Sequence, residues 1–138
     1  MIEHTVYLGL GSNLGDKEAN LRLAIEKIGG LVGRVERQSS FMTTEPWGFE
    51  SSNQFVNAVI RVQTPLSPRE VLEATQAIER ELGRKKKSKA RHYSDRPIDI
   101  DILLYDDWKV DEPDLQIPHP LMYERDFVMK PLNEITNK

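Results

Sequence analysis

The sequence predicts an α+β fold with a mainly antiparallel sheet, on three observations. Apolar residues alternate over short stretches at 5–10, 54–62 and 98–104, the period of half-buried strands. Two longer segments repeat apolar residues at helical spacing. The order is strand, helix, strand, strand, helix, strand. That is the split βαβ arrangement, in which both helices cover one face of the sheet and leave the other open for a site.

The elements follow in order. Thr5-Val-Tyr-Leu-Gly-Leu10 sets Val6, Leu8 and Leu10 on one side of a strand, and a Gly-Ser-Asn-Leu-Gly turn follows. From Asp16 to Ile28, Leu21, Ala24, Ile25 and Ile28 form a helical stripe, with Gly29-Gly30 as its left-handed stop. Residues 34–42 read as one polar-faced strand. In 54–62, Val56, Ala58, Ile60 and Val62 point to the core and Phe55 and Asn57 to the other face. The second helix has the clearest start: Ser67 as cap, Pro68 in the first turn, Glu70 completing a capping box and Leu66 stapling onto Val71. Gly83 ends it, and its buried stripe is Val71, Leu72, Thr75, Ile78 and Leu82, which leaves Gln76 and Glu79 off the buried face. In the last strand Ile98, Ile100, Ile102 and Leu104 face the helices, while Asp99 and Asp101 share the open face. A turn follows at Asp106-Asp107, and Pro118 and Pro120 flank His119.

Composition narrows the function. The 138 residues contain no cysteine, which removes thiolate metal sites, disulfides and cysteine nucleophiles. No apolar run approaches the roughly 20 residues of a membrane span, and no repeat or linker marks a boundary, so residues 1–138 are expected to be a single cytoplasmic domain. The formal charge of −3 hides an asymmetry: residues 84–96 hold seven Lys/Arg against one acid, Asp95. A basic segment on an acidic domain attracts polyanions, although a solvated loop is the plain alternative.

Asp99 and Asp101 lie two strand rises apart, about 6.6 Å between Cα atoms. Two carboxylates on one rigid face repel unless a cation lies with them, and hard oxygen donors favour Mg²⁺. An ordinary solvent-facing strand also carries such pairs. Here the pair follows directly on the basic segment, and metal ligands beside arginines are the equipment of phosphoryl transfer. Arg84, Arg91 and Arg96 can form forked bonds to phosphate. Phe55 and Asn57 offer a stacking plane and an amide edge, suited to a planar heterocycle, and the aromatic loop 43–49 is placed to close as a lid.

Five stretches now carry a resemblance: Leu8-Gly-Leu-Gly-Ser-Asn-Leu-Gly15, Ser39-Ser-Phe-Met-Thr-Thr-Glu-Pro-Trp-Gly48, Phe55-Val-Asn57, Arg96-Pro-Ile-Asp-Ile-Asp-Ile102 and Ile117-Pro-His-Pro120. Together and in this order they resemble the 6-hydroxymethyl-7,8-dihydropterin pyrophosphokinases of folate biosynthesis, which move pyrophosphate from ATP to a pterin alcohol. The resemblance implies a ferredoxin-like fold, ATP as co-substrate and two Mg²⁺ on Asp99 and Asp101. It implies a pterin pocket of Thr44, Glu45, Trp47, Phe55, Asn57 and Phe127. Gln76, Glu79, Arg84, His92, Tyr93, Arg96, Ile102, His119 and Arg125 fall at family positions around ATP, and Arg84 and Arg96 join the two aspartates as catalytic residues. Where many members carry Arg-Trp-Gly-Pro-Arg, this chain has His92-Tyr-Ser-Asp-Arg96, keeping the last arginine and a ring at Tyr93 for stacking.

The expected reaction releases AMP, with the chain acting as a monomer and without nucleic-acid or membrane partners. The rival reading is a nucleic-acid-binding module of the same topology, but its sheet needs basic and aromatic residues where Asp99 and Asp101 stand. His4 is read as a surface residue near a terminus, and Trp108 as packing at the hairpin end.

Overall fold

A computed structural model describes residues 2–44, 54–83 and 97–136. The strands are β1 (His4–Ser12), β2 (Arg34–Gln38), β3 (Met42–Thr44), β4 (Phe55–Thr64) and β5 (Asp99–Tyr105), with helix α1 (Lys17–Leu31) after β1 and α2 (Pro68–Glu81) after β4. The main sheet runs β2-β4-β1-β5, with β3 also on β4, and every pairing is antiparallel. This is the expected split βαβ order, with β1 and β4 central.

Local chemistry places the helices. The side chain of Asp16 accepts from the Ala19 amide to cap α1. The Ser67 hydroxyl accepts from the Glu70 amide, and the Glu70 carboxylate accepts from the Ser67 amide at 2.9 Å, the capping box read from sequence. Gly83, at φ +107°, closes the second helix as expected. The Gly29-Gly30 stop is corrected: α1 runs through both glycines to Leu31, because Val32, buried in the core, continues the apolar stripe.

Val6, Leu8, Leu10, Val56, Ile60, Val62, Ile98, Ile100 and Ile102 pack against Leu21, Ala24, Ile28, Val71 and Ile78, forming the core on the helix face. The expected inward position of Leu104 is corrected. Pairing with β1 steps from Leu8–Ile102 to Tyr7–Leu104, so a β-bulge at Leu103 turns both Leu103 and Leu104 to the other face and Tyr105 to the helices.

That other face is not left bare. A β6–β7 hairpin (Val110–Glu112, Leu115–Ile117), a 3₁₀ turn at Met122–Glu124 and helix α3 (Asp126–Thr136) follow β5. Val128, Leu132 and Ile135 of α3 bury against Val59 and Leu103, making a second, smaller core. The expectation of helices on one face alone therefore holds only for α1 and α2. The predicted 34–42 strand is likewise two strands: Ser39 still bonds to Val59 of β4, but the Ser40 amide and hydroxyl turn to the carboxylate of Glu134 on α3 at 2.9 and 2.8 Å, which interrupts the ladder between β2 and β3. His4 is half-buried rather than a plain surface residue, bonded to Asp106 at 2.6 Å and set against the rings of Tyr105 and Trp108. Among the described residues no helix is long and apolar enough to cross a membrane.

Candidate active site

The site begins with what β1 lacks. Val6, Leu8 and Leu10 fill the helix face, so Gly9 and Gly11 fall on the opposite face in the centre of the sheet, without side chains. Gly11 stands between Asn57 of β4 and Asp99 of β5, and Gly9 between Val59 and Asp101. The two glycines thus floor a cleft whose walls are the side chains of the neighbouring strands. A Cβ at Gly11 would lie 2.9 Å from Asn57 Oδ1 and 3.4 Å from the Phe55 ring, so a side chain there would force Asn57 to shift.

The cleft is lined by Gly9, Gly11, Thr44, Phe55, Asn57, Asp99, Asp101, Arg125 and Phe127, among others. Strand alternation brings Asp99, Asp101, Phe55 and Asn57 to one face, as the sequence pattern requires. Asn57 is 4% exposed, and its amide donates to Thr44 Oγ1 at 2.8 Å, fixing its orientation and turning its carbonyl oxygen toward the floor. Phe127 comes from the first turn of α3 and Arg125 from the residue just before it, the guanidinium 5.5 Å from the Phe127 ring centre. His119 reaches the rim: its amide donates to Leu103 O, and Nε2 lies 4.0 Å from Asp101 Oδ1.

Other expected site residues fall elsewhere. Ile102 turns its side chain into the helix-side core, leaving only its backbone to a ligand. Gln76 is half-buried on α2, outside the cleft lining. Glu79 was expected off the buried face and is instead 2% exposed, its carboxylate accepting from the Ile100 amide at 2.8 Å. It sits one turn after Thr75 on the buried stripe, a spacing that could have revealed it. Gly9 and Gly11 join the site without having been expected there, and the Leu-Gly-Leu-Gly alternation is the sequence signal that marks them. Glu45, Trp47, Arg84, His92, Tyr93 and Arg96 lie outside the described residues.

Two carboxylates facing one cleft offer hard oxygen ligands, and among the described residues no group of three or more His, Asp or Glu forms a cage. That donor set fits Mg²⁺, which is bound through one or two carboxylates with its remaining positions left to phosphate and water.

Residues 7–137 match the family 7,8-dihydro-6-hydroxymethylpterin-pyrophosphokinase (HPPK). The chain belongs to this family. Over 131 residues it is 53% identical to the 2-amino-4-hydroxy-6-hydroxymethyldihydropteridine pyrophosphokinase of Porphyromonas gingivalis, covering 94% of this chain and 89% of that one. With the Bacillus subtilis enzyme of the same name it shares 41% over 135 residues, 97% of this chain and 79% of the other. The fold agrees with an HPPK-DHPS crystal structure in complex with substrates at a TM-score of 0.78 and 13% identity. It agrees with Plasmodium falciparum HPPK-DHPS, with pterin and p-hydroxybenzoate, at 0.75 and 14%. The chain spans 98% and 96% of its own length in these matches but only 40% of either longer chain. As an HPPK, it transfers pyrophosphate to 6-hydroxymethyl-7,8-dihydropterin in folate biosynthesis. The nucleic-acid-binding alternative receives no support.

Proposed function

We propose that residues 1–138 act as one HPPK domain in which the glycine-floored cleft binds the pterin and the Asp99–Asp101 edge receives the triphosphate of ATP. The observation that carries this reading is the meeting of Asp99, Asp101, Phe55, Asn57 and Phe127 in one cleft. Phe55 and Phe127 present flat apolar faces for stacking the ring. Asn57, locked by Thr44, presents its carbonyl oxygen to the edge of the heterocycle, and the family resemblance assigns Glu45 and Trp47 to the same pocket. The Asn57 amide nitrogen is committed to Thr44 and Met42, so its carbonyl oxygen is the group offered to the ligand, and a ligand without a donor there would leave a buried acceptor unpaired.

Asp99 and Asp101 would hold Mg²⁺, two ions in the family's manner. When bound, the metal supplies charge neutralisation on the phosphates and acidifies the attacking hydroxyl. The reaction is in-line attack by the pterin hydroxymethyl oxygen on the β-phosphorus: the new O–P bond forms as the bond from Pβ to the bridging oxygen on Pα breaks, and AMP leaves. Arg84, Arg96 and Arg125 hold phosphate oxygens, His119 stands at the nucleotide side of Asp101, and Tyr93, His92, Gln76 and the Ile102 backbone surround the rest of ATP. Among the described residues lining the cleft, Asp99 and Asp101 are the carboxylates, and no other side chain there is a general base, so the proton of the attacking hydroxyl passes to solvent water as the new O–P bond forms.

The test is product analysis. ATP and the pterin alcohol with Mg²⁺ should give AMP; ADP would point to an ordinary kinase, and RNA binding in a gel shift without AMP formation would restore the rival.

A further inference from the structure

Charged side chains are seldom fully buried unless another group holds them, because removing the charge from water is costly. Glu79 is 2% exposed, near the C-terminal end of α2 and outside the cleft lining. Its Oε2 accepts from the backbone amide of Ile100 at 2.8 Å. Ile100 is the residue between Asp99 and Asp101, and β5 forms the edge of the main sheet.

Register makes that contact specific. Asp99 pairs with Gly11, Ile100 with Leu10 and Asp101 with Gly9. Backbone groups along an antiparallel strand turn alternately toward and away from the partner, so an Ile100 amide committed to Glu79 leaves those of Asp99 and Asp101 facing β1. The peptide linking Asp99 and Ile100 is thereby held between β1 on one edge and Glu79 on the other. Rotation of that peptide would swing the Asp99 side chain directly and the Asp101 side chain through Ile100. Gly9 and Gly11, directly across, carry no side chain to prop the aspartates from the cleft side, so their direction is set by the strand itself.

We propose that Glu79 is a positioning residue for pyrophosphate transfer: from the helix face it clamps the backbone between Asp99 and Asp101, so that both carboxylates enter the cleft at a fixed spacing. The proposal rests on reading those aspartates as the metal-holding pair. It replaces the expected place of Glu79 in the nucleotide wall.

The experiment compares Glu79→Ala, Glu79→Met and Glu79→Gln in the full chain. Hydrogen exchange of the Ile100 amide is measured without metal, then kcat, the pterin KM and the Mg²⁺ requirement of AMP formation. Gln keeps an oxygen acceptor of the same reach; Met fills similar space without one. Ala and Met should speed Ile100 exchange, lower kcat by about 10- to 100-fold, the usual effect of losing a group that orients metal ligands, and raise the Mg²⁺ requirement with the pterin KM unchanged. Gln should restore all three. Unchanged Ile100 exchange in Met or Ala overturns the proposal, as does Gln with native exchange but lost turnover. If Ala does not fold, Met and Gln decide. Failure of the metal reading shows differently: Asp99→Ala would keep Mg²⁺-dependent turnover while the Ile100 exchange result stood.

Discussion

The two faces of the sheet use the same strands for opposite purposes. On the helix face, Leu8, Leu10, Ile60, Ile98, Ile100 and Val62 interlock with α1 and α2 in a closed apolar core. On the other face, the intervening positions of those strands hold Gly9, Gly11, Asn57, Asp99 and Asp101 around an open cleft. Residues suited to a strand by propensity stand on the first face; glycine, asparagine and aspartate, all poor strand formers, stand on the second. The first face therefore supplies the stability that lets the second keep residues chosen for chemistry. Substitutions one position apart on a strand should accordingly have effects of different kinds.

The largest expected effect is on the site face. Asp99→Ala and Asp101→Ala should fold normally and lose AMP formation by orders of magnitude; retention of more than about a tenth of the wild-type rate contradicts the metal assignment. Their neighbour Ile100, 3% exposed, gives the reverse pattern. Ile100→Ala should cost about 2–5 kcal/mol in denaturant unfolding. Among the floor residues, Gly11→Ala must displace Asn57 and should weaken pterin binding roughly tenfold in a calorimetric titration. Gly9→Ala, whose added carbon has Leu103 as its nearest neighbour at 3.4 Å, should do less; equal losses would show that the close approach at Gly11 is unimportant.

The smallest effect lies at the far end of the same face. Glu36 accepts from Gln63 at 3.0 Å and from Arg61 at 3.0 Å. The Gln63 hydrogen bond, followed by its arginine neighbours, holds the Glu36 carboxyl below its ordinary 4.5 against the opposing effect of desolvation. A carboxyl depressed in the folded state contributes stability above that pH and loses it as pH falls through the lower folded value. Glu36→Gln should therefore flatten the acid side of the stability profile slightly and leave neutral turnover unchanged.

Periodicity made the helix face legible. The strands at 5–10, 54–62 and 98–104 follow from alternation and the two helices from apolar residues at helical spacing, and Ser67 with Glu70 marks the start of α2. Where a local irregularity interrupts the period, the pattern misleads: the extra residue at Leu103 reversed the expected side of Leu104. Helix α3 escaped because Pro131 lies within it and reads as a breaker; burial of Val128, Leu132 and Ile135 offsets the hydrogen bond that proline forgoes. On the site face, Asp99, Asp101, Phe55 and Asn57 were legible because alternation alone fixes their side. Arg125 and Phe127 were placed only by resemblance, since their position depends on how α3 docks. Glu79 was misjudged because a charge suggests solvent, whereas the outward amide of an edge strand supplied the partner that allows it inside.

The most direct measurement is AMP released from ATP and the pterin alcohol as Mg²⁺ is varied, for wild type and Asp101→Ala side by side. Saturable Mg²⁺ dependence is expected in the wild type, with almost no AMP from the folded variant at any Mg²⁺ concentration. Matching curves for the two proteins would contradict that expectation.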